Sequence, residues 1–164
     1  MADLLVLHRE RPQAGRPTVI RREYRAIVDD AVIDRVRPHV WRIDATKGYV
    51  YTYIAGVRVF LHRFVMDTTV RLDHKDGNPL NNQRANLRPC SVSQNLANRR
   101  MKPRPCSQFK GVQPRGRRWE ARIGVDMANI YLGTFDSDRE AAIAYNEAAR
   151  QYYGDFAQLN EMET

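Results

Sequence analysis

The sequence predicts an α+β protein in two parts: N-terminal antiparallel strands leading into a strand–turn–strand–helix unit, then a three-stranded antiparallel sheet packed on one helix. Three observations carry this. Runs rich in β-branched and aromatic residues recur between Thr18 and Val65 and again after Phe109. Two capping boxes, Ser91 with Gln94 and Ser137 with Glu140, each open a helical stretch. Between them, Met101-Lys102-Pro103-Arg104-Pro105 holds two prolines that fix φ and remove donors, so it reads as an extended basic linker. The expected organisation is a mobile tail over 1–17, where Pro12, Gly15 and Pro17 stand among arginines, a domain over 18–100, a linker over 101–108 and a second domain over 109–160.

In order, Val19-Ile20 and Tyr24 to Val28 read as strand, and Asp29 or Asp30 caps a short helix carrying Val32, Ile33 and Val36. Val40 to Ile43, Tyr49 to Tyr53 and Val57 to Phe60 complete a small antiparallel layer, to which no chemistry is assigned. Val70 to His74 is a strand, Lys75-Asp76-Gly77-Asn78-Pro79 a turn, and Leu87-Arg88 the start of the return strand. The helix capped by Ser91 follows, with Asn95 on its first turn or just beyond, where it can face the hairpin.

The chain has 164 residues and a net charge of +8, with 43% hydrophobic residues. That excludes a collagen, a low-complexity chain and a charge-driven disordered polymer. No run approaches the ~18–20 apolar residues of a membrane-spanning helix, and Leu4-Leu5-Val6-Leu7 is too short for a signal-peptide core, so an intracellular, non-secreted protein with no membrane partner is expected. Cys90 and Cys106 form neither a disulfide framework nor, with four histidines and no CxxC pair, a four-ligand zinc site. The charge is concentrated: residues 99–122 hold nine basic residues and one acid, Glu120, an excess equal to that of the whole chain. Such clustering is the footprint of a polyanion-binding surface, with a solvated basic face as the bland alternative.

Asp73-His74, Asn86 thirteen residues on and Asn95 nine further, set in DHKDGNPLNN and NLR…SQN, resemble the His-Asn-His (HNH) endonucleases. Leu61-His62-Arg63 and the strands before it are similar to the lead-in of the family's phage and intron homing members, extending the resemblance over residues 18–100. It implies a ββα-metal motif, two antiparallel strands and a helix around one divalent metal. Asp73 and Asn95 would hold that metal through oxygen, a hard donor set suited to magnesium or manganese, against the scissile phosphate and the leaving 3′ oxygen. His74 would be the general base, since an imidazole with pKa ~6.5 can take the proton of an attacking water. Asn86 would fix the loop that positions His74. His62 stands as a candidate neighbour of the site or phosphate contact, with a structural role as its alternative. Each residue alone also has an ordinary reading: a turn former at Asp73, caps or turns at Asn86 and Asn95, a surface histidine at His74.

After the linker, Phe109 to Val112, Arg118 to Val125 and Asn129 to Phe135 read as strands. Alternation in the second puts Trp119, Ala121, Ile123 and Val125 on one face and Arg118, Glu120 and Arg122 on the other. The helix from Ser137 has an apolar face of Ala141, Tyr145, Ala148 and Tyr152, flanked by Ala142 and Ala149, and ends at Gly154. KGV, WEARI, YLGTF and AAIAYNEAAR resemble the AP-two/ERF domain of plant transcription factors over residues 109–160. That resemblance implies an open sheet face in the DNA major groove, with Lys110, Gln113, Arg115, Arg122, Asn129 and Tyr131 at reading positions and Arg117 and Arg118 on phosphate. Gln113, Arg122, Gly124 and Asn129 depart from the plant pattern, so the plant target sequence does not transfer. Arg99, Arg100, Lys102 and Arg104 are expected to track the DNA backbone.

The expectation is a metal-dependent DNA endonuclease of the homing type, a phosphodiester hydrolase acting on double-stranded DNA, with no obligate protein partner evident. The resemblance implies action in a host cytoplasm during phage infection. The alternatives are a non-catalytic sequence-specific regulator and an RNA-directed protein, the latter opposed by the lack of an aromatic stacking surface beyond Tyr131.

Overall fold

The computed structural model describes residues 1–9, 20–100 and 107–162 and falls into two compact units, Met1–Pro89 and Cys90–Thr164. In the first, β1 (Ala2–Arg9) pairs antiparallel with β2 (Ile20–Val28), Leu4 opposite Ala26. β1 also runs parallel to β3 (Arg42–Ile43), which continues antiparallel through β4 (Val50–Ile54) and β5 (Val57–Phe60). The order β2-β1-β3-β4-β5 is therefore a mixed sheet, where a wholly antiparallel layer was expected.

β1 also corrects the mobile tail over its first nine residues. Leu4 and Val6, alternating with exposed Asp3 and Leu5, are buried with Ala26 and Val28, and each of the leucine and valine side chains contributes about 1.5–3 kcal/mol on burial. Residues 10–17 lie outside the described residues. Behind β2 come a 3-10 turn (Asp30–Val32) and the short α1 (Ile33–Val36). Val40 and Trp41 do not join β3, because the Trp41 indole is wholly buried and its Nε1–H donates to the Val36 carbonyl (2.9 Å). The stretch after Phe60 is α2 (Leu61–Met66) instead of strand: Leu61 and Val65, four apart, share one buried helical face.

A two-stranded hairpin, β6 (Leu72–His74) and β7 (Leu87–Pro89), pairs Asp73 with Arg88 and His74 with Leu87. The segment joining them is docked on β2. The Ile27 N–H donates to the Leu80 carbonyl (2.8 Å), the Asn82 N–H donates to the Ile27 carbonyl (2.8 Å), and the Arg84 N–H donates to Asp29 Oδ2 (2.7 Å).

The second unit begins with α3 (Val92–Ala97), whose Ser91–Gln94 capping box is complete. The expected linker at residues 101–108 falls outside the described residues over 101–106, and the boundary between compact units precedes α3. The reason is local: the Ser93 hydroxyl hydrogen-bonds the Tyr153 hydroxyl (2.9 Å) and accepts from the Asp126 N–H (3.1 Å). β8 (Val112–Arg115), β9 (Arg118–Val125) and β10 (Ala128–Phe135) form an antiparallel sheet in the order β10-β9-β8, and α4 (Asp138–Tyr153) covers its inner face.

Phe109 to Gly111 turn instead of starting the first strand. Gly111 has φ +76°, and a Cβ there would lie 2.1 Å from the Tyr145 ring, so glycine is what lets α4 close on the sheet. On α4 the buried tyrosine is Tyr153, not Tyr152, which is 45% exposed; Tyr153 follows Ala142, Tyr145 and Ala149 around the helix. In β10 the register slips between Tyr131 and Gly133, so Tyr131 lies opposite Arg122 and Thr134 opposite Glu120. Both side chains thereby come to one face, and their hydroxyls meet at 2.6 Å.

Candidate active site and nucleic-acid interface

The hairpin positions the first set of candidate residues. All three residues of β6 are buried, an unusual fate for an Asp-His pair, and the two polar side chains each have a local partner. Asp73 Oδ2 accepts from Arg88 Nε (2.9 Å) and is ion-paired with Nη2 at the same distance, with the two side chains 5% and 14% exposed. His74 Nε2 lies 3.3 Å from Asn82 Oδ1, and Asn82 Nδ2 donates to the Pro79 carbonyl (3.1 Å), which turns the amide oxygen toward the ring. That orientation makes Nε2 the protonated nitrogen and Nδ1 the basic one. Burial lowers the His74 pKa, opposed by the Asn82 hydrogen bond and by the charges of Asp76 and Asp73.

Asn86 clamps the connecting loop. Its Oδ1 accepts from the Asp76 N–H (3.1 Å), its Nδ2 donates to Asp76 Oδ1 (2.9 Å) and the Asn81 carbonyl (2.8 Å), and its carbonyl accepts from the Lys75 N–H (2.9 Å). Asp76 and Asn78 are the expected turn formers, accepting from the Asn78 N–H (2.8 Å) and the Leu80 N–H (3.1 Å) respectively. His74 thus leaves its strand into a loop tied at four points.

The ring of His74 has an aromatic wall. Tyr49 stacks on it (6.1 Å, 25°), and His62 meets it edge to face (5.4 Å, 83°). His62 itself stacks on Phe60 (15°) and is buried, and burial, then the charges of His74 and Arg63, push its pKa down to about 3. A neutral imidazole in van der Waals contact with a candidate base packs and shapes the site without adding charge. Asn95 lies on α3 in the second unit, half-buried, its N–H donating to the Ser91 carbonyl (3.1 Å) within the first turn.

Asp73 offers a buried carboxylate, a donor type that suits a hard cation, while Asn95, the other expected ligand, belongs to the other compact unit. Among the described residues no group of three or more His, Cys, Asp or Glu gathers at one place.

The second set lies on the outer face of the C-terminal sheet. Gln113, Arg115, Arg118, Arg122, Asn129 and Tyr131 are exposed there, with Arg117 in the β8–β9 turn. Arg118 pairs with Asp136 (2.9 Å), both well exposed. Arg99 and Arg100 are exposed, and Lys102 and Arg104 lie outside the described residues. Lys110 departs from its expected place on the reading face. Its Nζ donates to the carbonyls of Ala97 and Arg99 (2.9 Å to the latter), and burial, with the Arg99 charge adding, pushes its pKa down to about 8. It closes the turn before β8 instead of facing outward. Glu120, placed by alternation on the exposed face, is instead buried beneath arginines.

Four contributors escaped sequence reasoning. Arg88 was recoverable, since the hairpin register places it opposite Asp73. Asn82 and Tyr49 carry no local signal, because each reaches His74 only through the docking of its segment. Glu120 was visible only as the one acid in a basic stretch.

No family model matches the chain. Over 126 residues, 71% of the chain, it is 28% identical to an uncharacterized HNH endonuclease, L560, of Acanthamoeba polyphaga mimivirus, covering 65% of that protein. Over 59 residues, 34% of the chain, it is 48% identical to dehydration-responsive element-binding protein 2D of Arabidopsis thaliana, covering 29% of it. A putative AP2/ERF and B3 domain-containing protein of Oryza sativa is 46% identical over 59 residues, 18% of its length. The chain therefore spans under a third of these plant relatives and about two thirds of the viral one. It is distantly homologous to an HNH endonuclease over most of its length and to AP2/ERF DNA-binding domains over its C-terminal third.

Proposed function

We propose that this chain is a DNA endonuclease of the homing type, in which the hairpin unit hydrolyses a phosphodiester and the C-terminal sheet selects the site. The observation that supports the cutting role is the buried Asp73–His74 pair on β6. A histidine oriented by Asn82 through Nε2, and kept below its ordinary pKa by burial, is neutral near pH 7 and has Nδ1 to take a proton from water. Arg88 fixes the Asp73 carboxylate by two nitrogens on one oxygen, and Asn86 holds the loop so that the His74 backbone does not drift.

The HNH resemblance implies one divalent cation, magnesium or manganese, with Asp73 and Asn95 as the oxygen ligands it would take. When bound, that cation stabilises negative charge developing on the phosphate and the leaving oxygen. His62, neutral and packed edge to face, excludes water from one side of the base. The exposed arginines of the C-terminal sheet, and the DNA-binding proteins to which that third of the chain is similar, support duplex DNA as the ligand.

The test is conversion of supercoiled plasmid carrying source-genome DNA, with magnesium or manganese, against EDTA and against His74→Ala. Metal-dependent open-circle or linear product, reduced at least about 10²-fold in the variant, supports the reading. The fraction of linear product tells whether one strand or two are cut. Tight, salt-sensitive DNA binding with no cleavage by the wild type would favour a non-catalytic regulator instead.

A further inference from the structure

Glu120 is anomalous on two counts. It is the single acid among residues 99–122, where nine residues are basic. It also lies in mid-strand on the outer face of the sheet, and yet its side chain is only 3% exposed. The covering groups are its own partners. Arg122 Nε donates to Oε1, Gln113 Nε2 donates to Oε1 (2.8 Å), and Arg115 Nη1 donates to Oε2 (2.6 Å). Gln113 stands directly across on β8 and Thr134 directly across on β10, so the carboxylate sits at the centre of the face. The hydrogen bonds of Arg122, then Gln113, hold its pKa down at about 2, so it is ionised near neutral pH.

A fixed negative charge at the centre of a surface that meets DNA phosphates opposes binding. What it supplies in return is order. Arg115 and Arg122 remain 62% and 47% exposed, so they are covers of Glu120 and outward-facing groups at once. Glu120 engages Arg122 through Nε, leaving the two Nη amino groups as a planar fork with no partner among the described residues. An arginine held from its Nε side has lost much of its rotamer freedom before DNA arrives, and its fork matches the O6 and N7 acceptors of guanine.

We infer that Glu120 is a specificity-determining positioning residue: by anchoring Arg122 through Nε and Arg115 through Nη1 it fixes the Nη fork of Arg122, and the remaining N–H groups of Arg115, for donation to guanine, so that the sheet selects guanine-containing sites in duplex DNA. This rests on the reading that the outer face contacts DNA bases. The residue acts through the arginines and touches no base itself.

The test is selection from a randomised duplex library by the full chain in EDTA, where DNA is bound but not cut, followed by affinities for the selected and a scrambled site across a salt series. Wild type should enrich guanine at the arginine-read positions. Glu120→Ala should lower the ratio of specific to non-specific affinity about tenfold or more, while affinity for scrambled DNA stays level or rises because a negative charge has gone. Glu120→Gln, nearly isosteric, keeps one acceptor oxygen and should fall between. In an Arg122→Ala background the Glu120→Gln change should no longer alter preference at the position Arg122 reads.

Unchanged guanine preference in both Glu120 variants overturns the inference. So does an equal loss of specific and non-specific affinity, which is the signature of a purely structural residue or an unfolded domain. If wild type binds DNA with no sequence preference, the base-reading role of the face fails and this inference with it. A preference that survives Glu120→Ala defeats the inference alone.

Discussion

Each unit buries one carboxylate against arginine, and the two arrangements differ in which partner is left at the surface. Around Asp73 both partners are withdrawn, the carboxylate 5% and Arg88 14% exposed, across a hairpin register that pairs them directly. Around Glu120 the carboxylate is equally withdrawn, but Arg115 and Arg122 are half-exposed or more. In the first case arginine orders an acid beside a histidine. In the second an acid orders arginines toward solvent. On the proposed function, the same ion pair would serve a reacting centre or a reading face according to which side of it the fold covers.

The contrast is broken most forcefully at Asp73. Asp73→Ala leaves a guanidinium buried without its carboxylate, a change that costs about 3–5 kcal/mol when such a pair is fully enclosed, and cleavage should disappear. Glu120→Ala leaves arginines that water can reach, so denaturant unfolding should show the smaller loss there. Equal losses would mean that exposure of the arginines does not distinguish the two pairs.

Of intermediate size is Asn86→Ala, which strands the Asp76 N–H and the Asn81 carbonyl. We expect about 1–3 kcal/mol lower stability and slower cleavage with unchanged DNA affinity, checked by urea denaturation and single-turnover kinetics. An effect on affinity alone would remove Asn86 from the loop that positions the base.

The smallest effect is in acid. The Glu120 carboxyl is held at about 2 against an ordinary 4.5, so its contribution to stability is fully present above about pH 4.5 and is lost as pH falls toward 2. Thermal melts between pH 5 and 2.5 should show a shallower decline in Glu120→Gln than in wild type, and parallel declines would refute the assignment.

What was legible in the sequence follows the range of the forces involved. Both capping boxes, the hairpin turn and the span of β9 rest on neighbours within a few residues, and all appear where expected. β1 was missed because its partner β2 is recognised only once Leu4 and Val6 find Ala26 and Val28 across an intervening segment. Lys110 and Tyr152 were misplaced because Gly111 turns the chain at the first and the last turn of α4 buries Tyr153 in place of the second. At the candidate site, Asp73, His74 and Asn86 were named from the HNH resemblance that their spacing carries, and Arg88 follows from register. Asn82 and Tyr49 depend on segments docking together. Alternation assigned Glu120 its face correctly but not its burial, since what covers it is three side chains and not the backbone.

The central claim is that cutting resides in the hairpin unit and choosing in the outer face of the C-terminal sheet. One measurement addresses both: sequencing of bound and cleaved products from a randomised duplex library, with magnesium, for wild type, His74→Ala and Glu120→Gln. The account predicts that His74→Ala binds the wild-type set of sites and cuts none, while Glu120→Gln cuts but spreads its cleavage over sites with relaxed guanine preference. Cleavage by His74→Ala at the wild-type rate, or an unaltered site distribution in Glu120→Gln, would contradict it.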